Sequence, residues 1–208
     1  MSYVECARVN DKGVAAFKPL DDKTMDMLGN AMIGSGISIG GYVPRSLLYF
    51  SIENKVITLM WVTEEQRKPL LFDEETTLKS DNYTVPRLLW YFKNGSLYLY
   101  ALKDMDEAIE KTKLYKAPFF NMMQSNEVCM GDVVDMMDIR NGRFDEIITK
   151  LEALFYETEF THISSENMVE GLLKHYTENP KEFPYEKLIE ANRTIGSLIG
   201  KQNHLQGG

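Results

Sequence analysis

The chain is poor in the residues that build metal centres and disulfide frameworks. It has two cysteines, Cys6 and Cys129, which lie 129 − 6 = 123 positions apart, and three scattered histidines. That spacing excludes a cysteine-stapled scaffold and a zinc site of paired ligands. Basic residues are outnumbered, 23 Lys and Arg against 31 Asp and Glu. A net charge of −8 argues against nucleic-acid binding as the main function, because phosphate contacts need concentrated cations, and it suits a basic partner better. Long apolar runs are missing too. The longest uncharged stretch, 27–44, has 18 residues, but Gly29, Gly34, Gly36, Gly40 and Gly41 make it too polar to span a bilayer. With no secretory signal at the N-terminus, the expectation is a cytoplasmic protein without membrane association. There are no internal repeats and no low-complexity segment.

What remains, 44% hydrophobic and 26% charged over 208 residues, is the composition of an ordinary globular chain with one domain and elaborations. Apolar alternation over 1–18 around Asn10-Asp11-Lys12-Gly13 predicts a strand pair. A helix follows, capped by Asp21 or Asp22, carrying Met25, Leu28, Met32 and Ile33 on one side and stopped by Gly34. The glycine-rich run after it is no phosphate loop, since a helix precedes it where one should follow and the Gly-Lys-Ser/Thr ending is missing.

Four strands are predicted at 47–52, 56–63, 87–93 and 97–102, the last two joined by Asn94-Gly95. That dipeptide favours a type I′ turn because both central positions need positive φ. The set reads as an antiparallel meander with one face to be covered by helices. Phe144, Ile147, Ile148, Leu151, Leu154 and Phe155 supply such a helix, with Asp145, Glu146, Lys150 and Glu152 outside. Two more helices are expected, one from Ser164 or Ser165 to about Tyr176 and one opened by Pro184 and running to about Gly196. Strands first and helices afterwards is an α+β order. Residues 1–45 read as a strand pair and helix leading into a domain over 46–208.

The candidate chemistry lies at Phe119-Phe120-Asn121, with seven residues between Asn121 and Cys129. A thiolate that forms acyl thioesters needs a donor for the oxyanion that develops on attack, and an Asn amide is one. Asn121 has a second reading, tying down a turn through backbone hydrogen bonds. The loop Gln124-Ser125-Asn126-Glu127 is polar, which suits an accessible thiol, although no Lys or Arg lies between Met122 and Val134 to support a thiolate. Cys6, in a strand-like setting, reads as a small buried apolar residue. Trp61, Trp90, Tyr91, Tyr98 and Tyr100 read as sheet residues rather than a base-stacking platform.

This stretch resembles the active-site segment of ubiquitin-conjugating enzymes, where His-Pro-Asn is followed by seven residues and the thioester cysteine. Asn121 and Cys129 match, whereas Phe119 and Phe120 replace the His and Pro. Five blocks in order extend the likeness over about 83–163: Pro86-Arg87-Leu88-Leu89-Trp90, Ser96-Leu97-Tyr98-Leu99-Tyr100-Ala101-Leu102, Leu114-Tyr115-Lys116-Ala117-Pro118-Phe119-Phe120-Asn121, Val128-Cys129-Met130-Gly131 and Phe160-Thr161-His162. They are similar to prokaryotic ubiquitin-conjugating-enzyme-like family D, also called PRTRC system protein B. Asn126-Glu127 stands where Asp-Gly is more usual.

The resemblance implies an α+β, UBC-like fold with a four-stranded antiparallel meander flanked by helices. It implies a thioester on Cys129; neither a cofactor nor a metal is expected. The implied partners are a ThiF-type activating-enzyme-like protein, a ubiquitin-like modifier and a JAB-type metallopeptidase. A catalytically inactive binding scaffold is the alternative. Conjugating enzymes commonly place a gating acid or serine about thirty residues after the cysteine. Here His162 lies 162 − 129 = 33 residues on, as a candidate general base or as a cap on the preceding helix. The Gly207-Gly208 tail suggests a modifier, but a helix is expected before it instead of a small β-grasp domain.

Overall fold

The structure, a computed structural model, describes residues 5–9, 15–19, 36–74, 76, 78–129, 139–161 and 183–200, the first two stretches as backbone only. Strands β1 (Glu5–Val9) and β2 (Ala15–Pro19) pair antiparallel, as the alternation around the 10–13 turn predicts. The following strands are β3 (Ser38–Gly40), β4 (Leu47–Glu53), β5 (Val56–Thr63), β6 (Gln66–Leu70), β7 (Asp81–Val85), β8 (Leu88–Lys93) and β9 (Ser96–Ala101). β10 (Lys113–Lys116), β11 (Asn141–Arg143) and β12 (Glu190–Thr194) are the remaining strands among the described residues. Two helices, α1 (Phe144–Tyr156) and α2 (Ile195–Leu198), and two 3₁₀ turns, Ile109–Lys111 and Tyr185–Lys187, are also described.

The architecture is α+β. The main sheet is six-stranded in the order β12-β10-β9-β8-β5-β4, and every pairing in it is antiparallel. Its tight turns follow from their residues: Asn54 and Lys55 (φ 51° and 65°) join β4 to β5, and Asn94 and Gly95 (φ 51° and 89°) join β8 to β9. Both pairs have the positive φ that a type I′ hairpin requires. Between β5 and β8 the chain leaves the sheet to form a separate antiparallel arm, β6–β7, and β3 pairs in parallel with β11.

Alternation along the central strands sends Leu59, Trp61, Trp90, Phe92, Leu97 and Leu99 into one core, and Met60, Leu89, Tyr91 and Tyr100 into another. Helix α1 closes the first with Phe144, Ile147, Ile148, Leu151, Phe155 and Tyr156. Its face is rotated slightly from the periodicity, since Tyr156 is buried where Leu154 is only partly so. Glu152, expected outside, is part-buried because the indole N–H of Trp61 donates to its carboxylate at 2.9 Å.

One expectation is corrected. Residues 184–196 do not form a helix: a 3₁₀ turn is followed by β12 and then by the four-residue α2. Fully buried Leu114 lies on β10, whose outer edge β12 pairs, with Lys113 opposite Thr194 and Leu114 opposite Arg193. The register shift beyond Leu114 accommodates Asn192 at φ 53°, a conformation that interrupts any helix. Asn, Arg and Thr in sequence oppose this only weakly with their helix propensity. The helices expected near 21–33 and 164–176 lie outside the described residues.

Candidate thiol site

After β10 the chain turns inward through Ala117, Phe119 and Phe120, all buried. Phe119 meets Phe155 of α1 edge-on at 5.1 Å, and Phe120 meets Phe72 at 5.4 Å. The two aromatics standing where His and Pro stand in the related tripeptide are therefore apolar anchors. They fix Asn121 beside the end of α1.

From Asn121 the chain folds back on itself. Met122 bridges Val128, the Met123 amide donates to Glu127 O at 2.8 Å, and the Cys129 amide donates to Asn121 O at 2.8 Å. Asn126 takes φ 65° at the turn, which Asn tolerates better than most residues. The hairpin is held against the sheet because β10 covers only Tyr100 and Ala101 of β9. The Leu99 amide donates to Asn126 O at 3.0 Å, and the Val128 amide donates to Leu97 O at 2.8 Å. The hairpin thus continues the pairing along β9 that β10 leaves incomplete.

Asn121 and Cys129 consequently face each other across the hairpin and line one crevice with Val128, Phe155, Thr158 and Phe160. The crevice is too tight to hold a water molecule, and Cys129 is a partly exposed free cysteine. The Asn121 side chain is 5% exposed and joins two strands of chain. Its Nδ2 donates to Glu159 O at 2.9 Å, and its Oδ1 accepts from the Thr161 amide at 3.2 Å. Asn121 itself has φ 56°, so both backbone and side chain are committed to this junction. His162 lies outside the described residues; the residue before it is the one bonded to Asn121.

Phe155 was legible as part of an apolar helix face and Phe160 as part of a sequence block, but their convergence on Cys129 was not. Thr158 carried no sequence signal. Nearby, burial pushes the Glu152 carboxyl above its ordinary range, opposed in part by the Trp61 N–H and by Lys68. Burial also raises the Tyr156 phenol, with the Glu152 charge adding to it, and its hydroxyl has no partner among the described residues. Among the described residues no group of three or more His, Cys, Asp and Glu is arranged to hold a metal, and no helix is long and apolar enough to cross a membrane.

The profile of prokaryotic E2 family D matches residues 23–191, most of the chain. The protein belongs to that family. No curated protein and no solved structure gives a significant match.

Proposed function

We propose that the chain is a bacterial acyl carrier of the ubiquitin-conjugating kind, holding a ubiquitin-like modifier as a thioester on Cys129 and passing it to an amine. The observation that carries this reading is the opposition of Asn121 and Cys129 across the hairpin, with one crevice shared between them. β4, β5, β8 and β9, adjacent and antiparallel, correspond in this reading to the four-stranded meander of a UBC-like fold.

In the loading step the Cys129 thiolate attacks the modifier's thioester carbonyl on a ThiF-type activating protein. A C–S bond forms to Sγ, the old C–S bond breaks, and the partner's thiolate leaves. In the discharge step an amine nitrogen attacks the same carbon and the oxyanion collapses. A C–N bond forms, the Cys129 thiolate departs, and the amine proton passes to a base, a role we assign to His162. Asn121 positions the segment that leads to His162 through its bonds to Glu159 and Thr161. The same family likeness suggests a PRTRC-type mobile-element setting, with a JAB-type metallopeptidase as a further partner.

A catalytically silent scaffold is the second reading. It is favoured by the burial of Phe119 and Phe120 in place of the tripeptide's His and Pro, and by the engagement of the Asn121 amide with Glu159 O. Incubation with ATP, the cognate activating protein and its modifier separates the two. A carrier gives an adduct on Cys129 that reducing agent cleaves, and Cys129→Ser gives a reducing-resistant oxyester instead. Asn121→Ala and His162→Ala then load but discharge to amines about 10- to 1,000-fold more slowly. No Cys129-dependent adduct with the cognate partners means a scaffold.

A further inference from the structure

Phe160, which walls the Cys129 crevice, is held from a part of the molecule remote in sequence from the thiol. The loop leaving β6 runs alongside it in a parallel bridge between Phe72 and Phe160. The Phe160 amide donates to Leu71 O at 2.8 Å, and the Asp73 amide donates to Phe160 O at 3.1 Å. The Phe72 ring meets Phe160 at 5.6 Å, Phe120 at 5.4 Å and Tyr83 of β7 at 5.6 Å. Ser80 pins the loop, accepting from the Phe72 amide at 2.9 Å and donating to its carbonyl at 3.3 Å.

Residues 159–161 are thus stitched on one side to the thiol hairpin by Asn121 and on the other to the β6–β7 arm. The thiol side can change little, because Asn121 and Cys129 are fixed to each other and to β9. The arm is a two-stranded ribbon outside the main sheet, and Leu71, at its junction with Phe160, is 43% exposed. The arm shares no strand pairing with the main sheet and meets the core through the side chains of Leu70, Phe72, Tyr83 and Val85, whereas the thiol hairpin is tied to β9 by backbone hydrogen bonds, so the arm is the side that gives first.

We propose that residues 71–73 form a strap that holds the Phe160 wall against Cys129, so that releasing the strap opens the crevice to an acyl group. The strap regulates access to the thiol, and its role in transfer rests on the thioester reading.

The test is differential alkylation of the full-length protein with a small and a bulky maleimide, with peptide mapping to separate Cys129 from Cys6. Phe72→Ala is expected to speed labelling of Cys129 by the bulky reagent about tenfold, with a smaller gain for the small one, as local opening becomes easier. Ser80→Ala leaves no cavity and is expected to give a smaller acceleration in the same direction, and it decides the matter if Phe72→Ala fails to fold. Leu198→Ala, on the opposite face of the sheet, is expected to leave the rate unchanged. The strap is overturned if folded Ser80→Ala and Phe72→Ala label at the wild-type rate, or if Leu198→Ala accelerates labelling equally. Alkylation requires no modifier, so a failed strap leaves the thioester reading standing, and a missing thioester leaves the labelling result intact.

Discussion

On one face of the six-stranded sheet, Trp61 stacks on Trp90 at 5.7 Å, Trp90 meets Phe155 edge-on at 5.4 Å, and Phe155 continues to Phe119 and Phe160. On the other face, Met60, Leu89, Tyr91 and Tyr100 pack with Ile195 and Leu198 of a single helical turn, with Met105 and Ile199 partly buried beside them. There a groove of about 270 Å³ stays open between Tyr49, Thr58, Tyr91 and Leu198. Both faces come from the same alternating strands. What differs among the described residues is the cover: a thirteen-residue helix with a second layer of loops on one side, and on the other a four-residue helix with Met105, Ala191 and Ile199 beside it. The thiol lies against the closed face, where aromatic rings fix the atoms around it.

The comparison is broken most directly at its centre. Trp90→Ala should destabilise the protein by about 3–5 kcal/mol, because fully buried Trp90 touches both the sheet and α1. Leu198→Ala, on the thinner cover, should cost less, about 2 kcal/mol, at the low end for a buried leucine. Equal losses in urea unfolding would mean that the two faces are equally well packed.

Asn121→Ala removes acceptor and donor together and leaves Glu159 O and the Thr161 amide without this partner, at a cost of about 1–3 kcal/mol. Hydrogen exchange at Thr161 should rise before exchange in β9 does. If the amide exchanges no faster, the junction is held by aromatic packing alone. On the open face, Tyr91→Phe deletes the bond from its hydroxyl to Leu198 O, 3.2 Å, and should cost about 1 kcal/mol.

The last difference shows as a slope with pH. Burial raises the Glu152 pKa above its ordinary value of 4.5, so the folded protein holds that proton more tightly than the unfolded chain. Below about pH 4.5 the carboxyl is protonated in both states and carries no penalty. As pH rises toward and through the folded-state pKa, stability is lost. Glu152→Gln keeps an acceptor for Trp61 and should flatten this part of the Tm–pH curve. A Gln variant with the wild-type slope would assign the dependence to another group.

Some of this was legible in particular residues. Asn94-Gly95 and the alternation on either side of it set one hairpin of the main sheet, and Phe144, Ile147, Ile148 and Leu151 set α1, because turn chemistry and periodicity are local. β6–β7 was not legible. Gln66-Arg67-Lys68-Pro69 and Asp81-Asn82 have no apolar alternation, and Pro69 argues against a central strand, as befits a ribbon outside the main sheet. β12 was misread because Glu190, Ala191 and Asn192 have no strand pattern of their own; they become a strand only because β10 offers an unpaired edge.

The candidate site divides the same way. Asn121, Cys129 and their spacing were legible, because the spacing is a property of the chain and the sequence blocks around it point to the family to which the protein belongs. That Phe155, Thr158 and Phe160 wall the same crevice, that Asn121 bonds Glu159 and Thr161 across about forty residues, and that residues 71–73 lie behind Phe160, could be decided only in three dimensions. The sequence by itself determined which segments are strands wherever their own side chains alternate, and where the thiol lies along the chain. The tertiary structure decided which edge each polar segment completes and what closes over the thiol, because backbone pairing and aromatic packing between distant segments leave no periodic trace in either one alone.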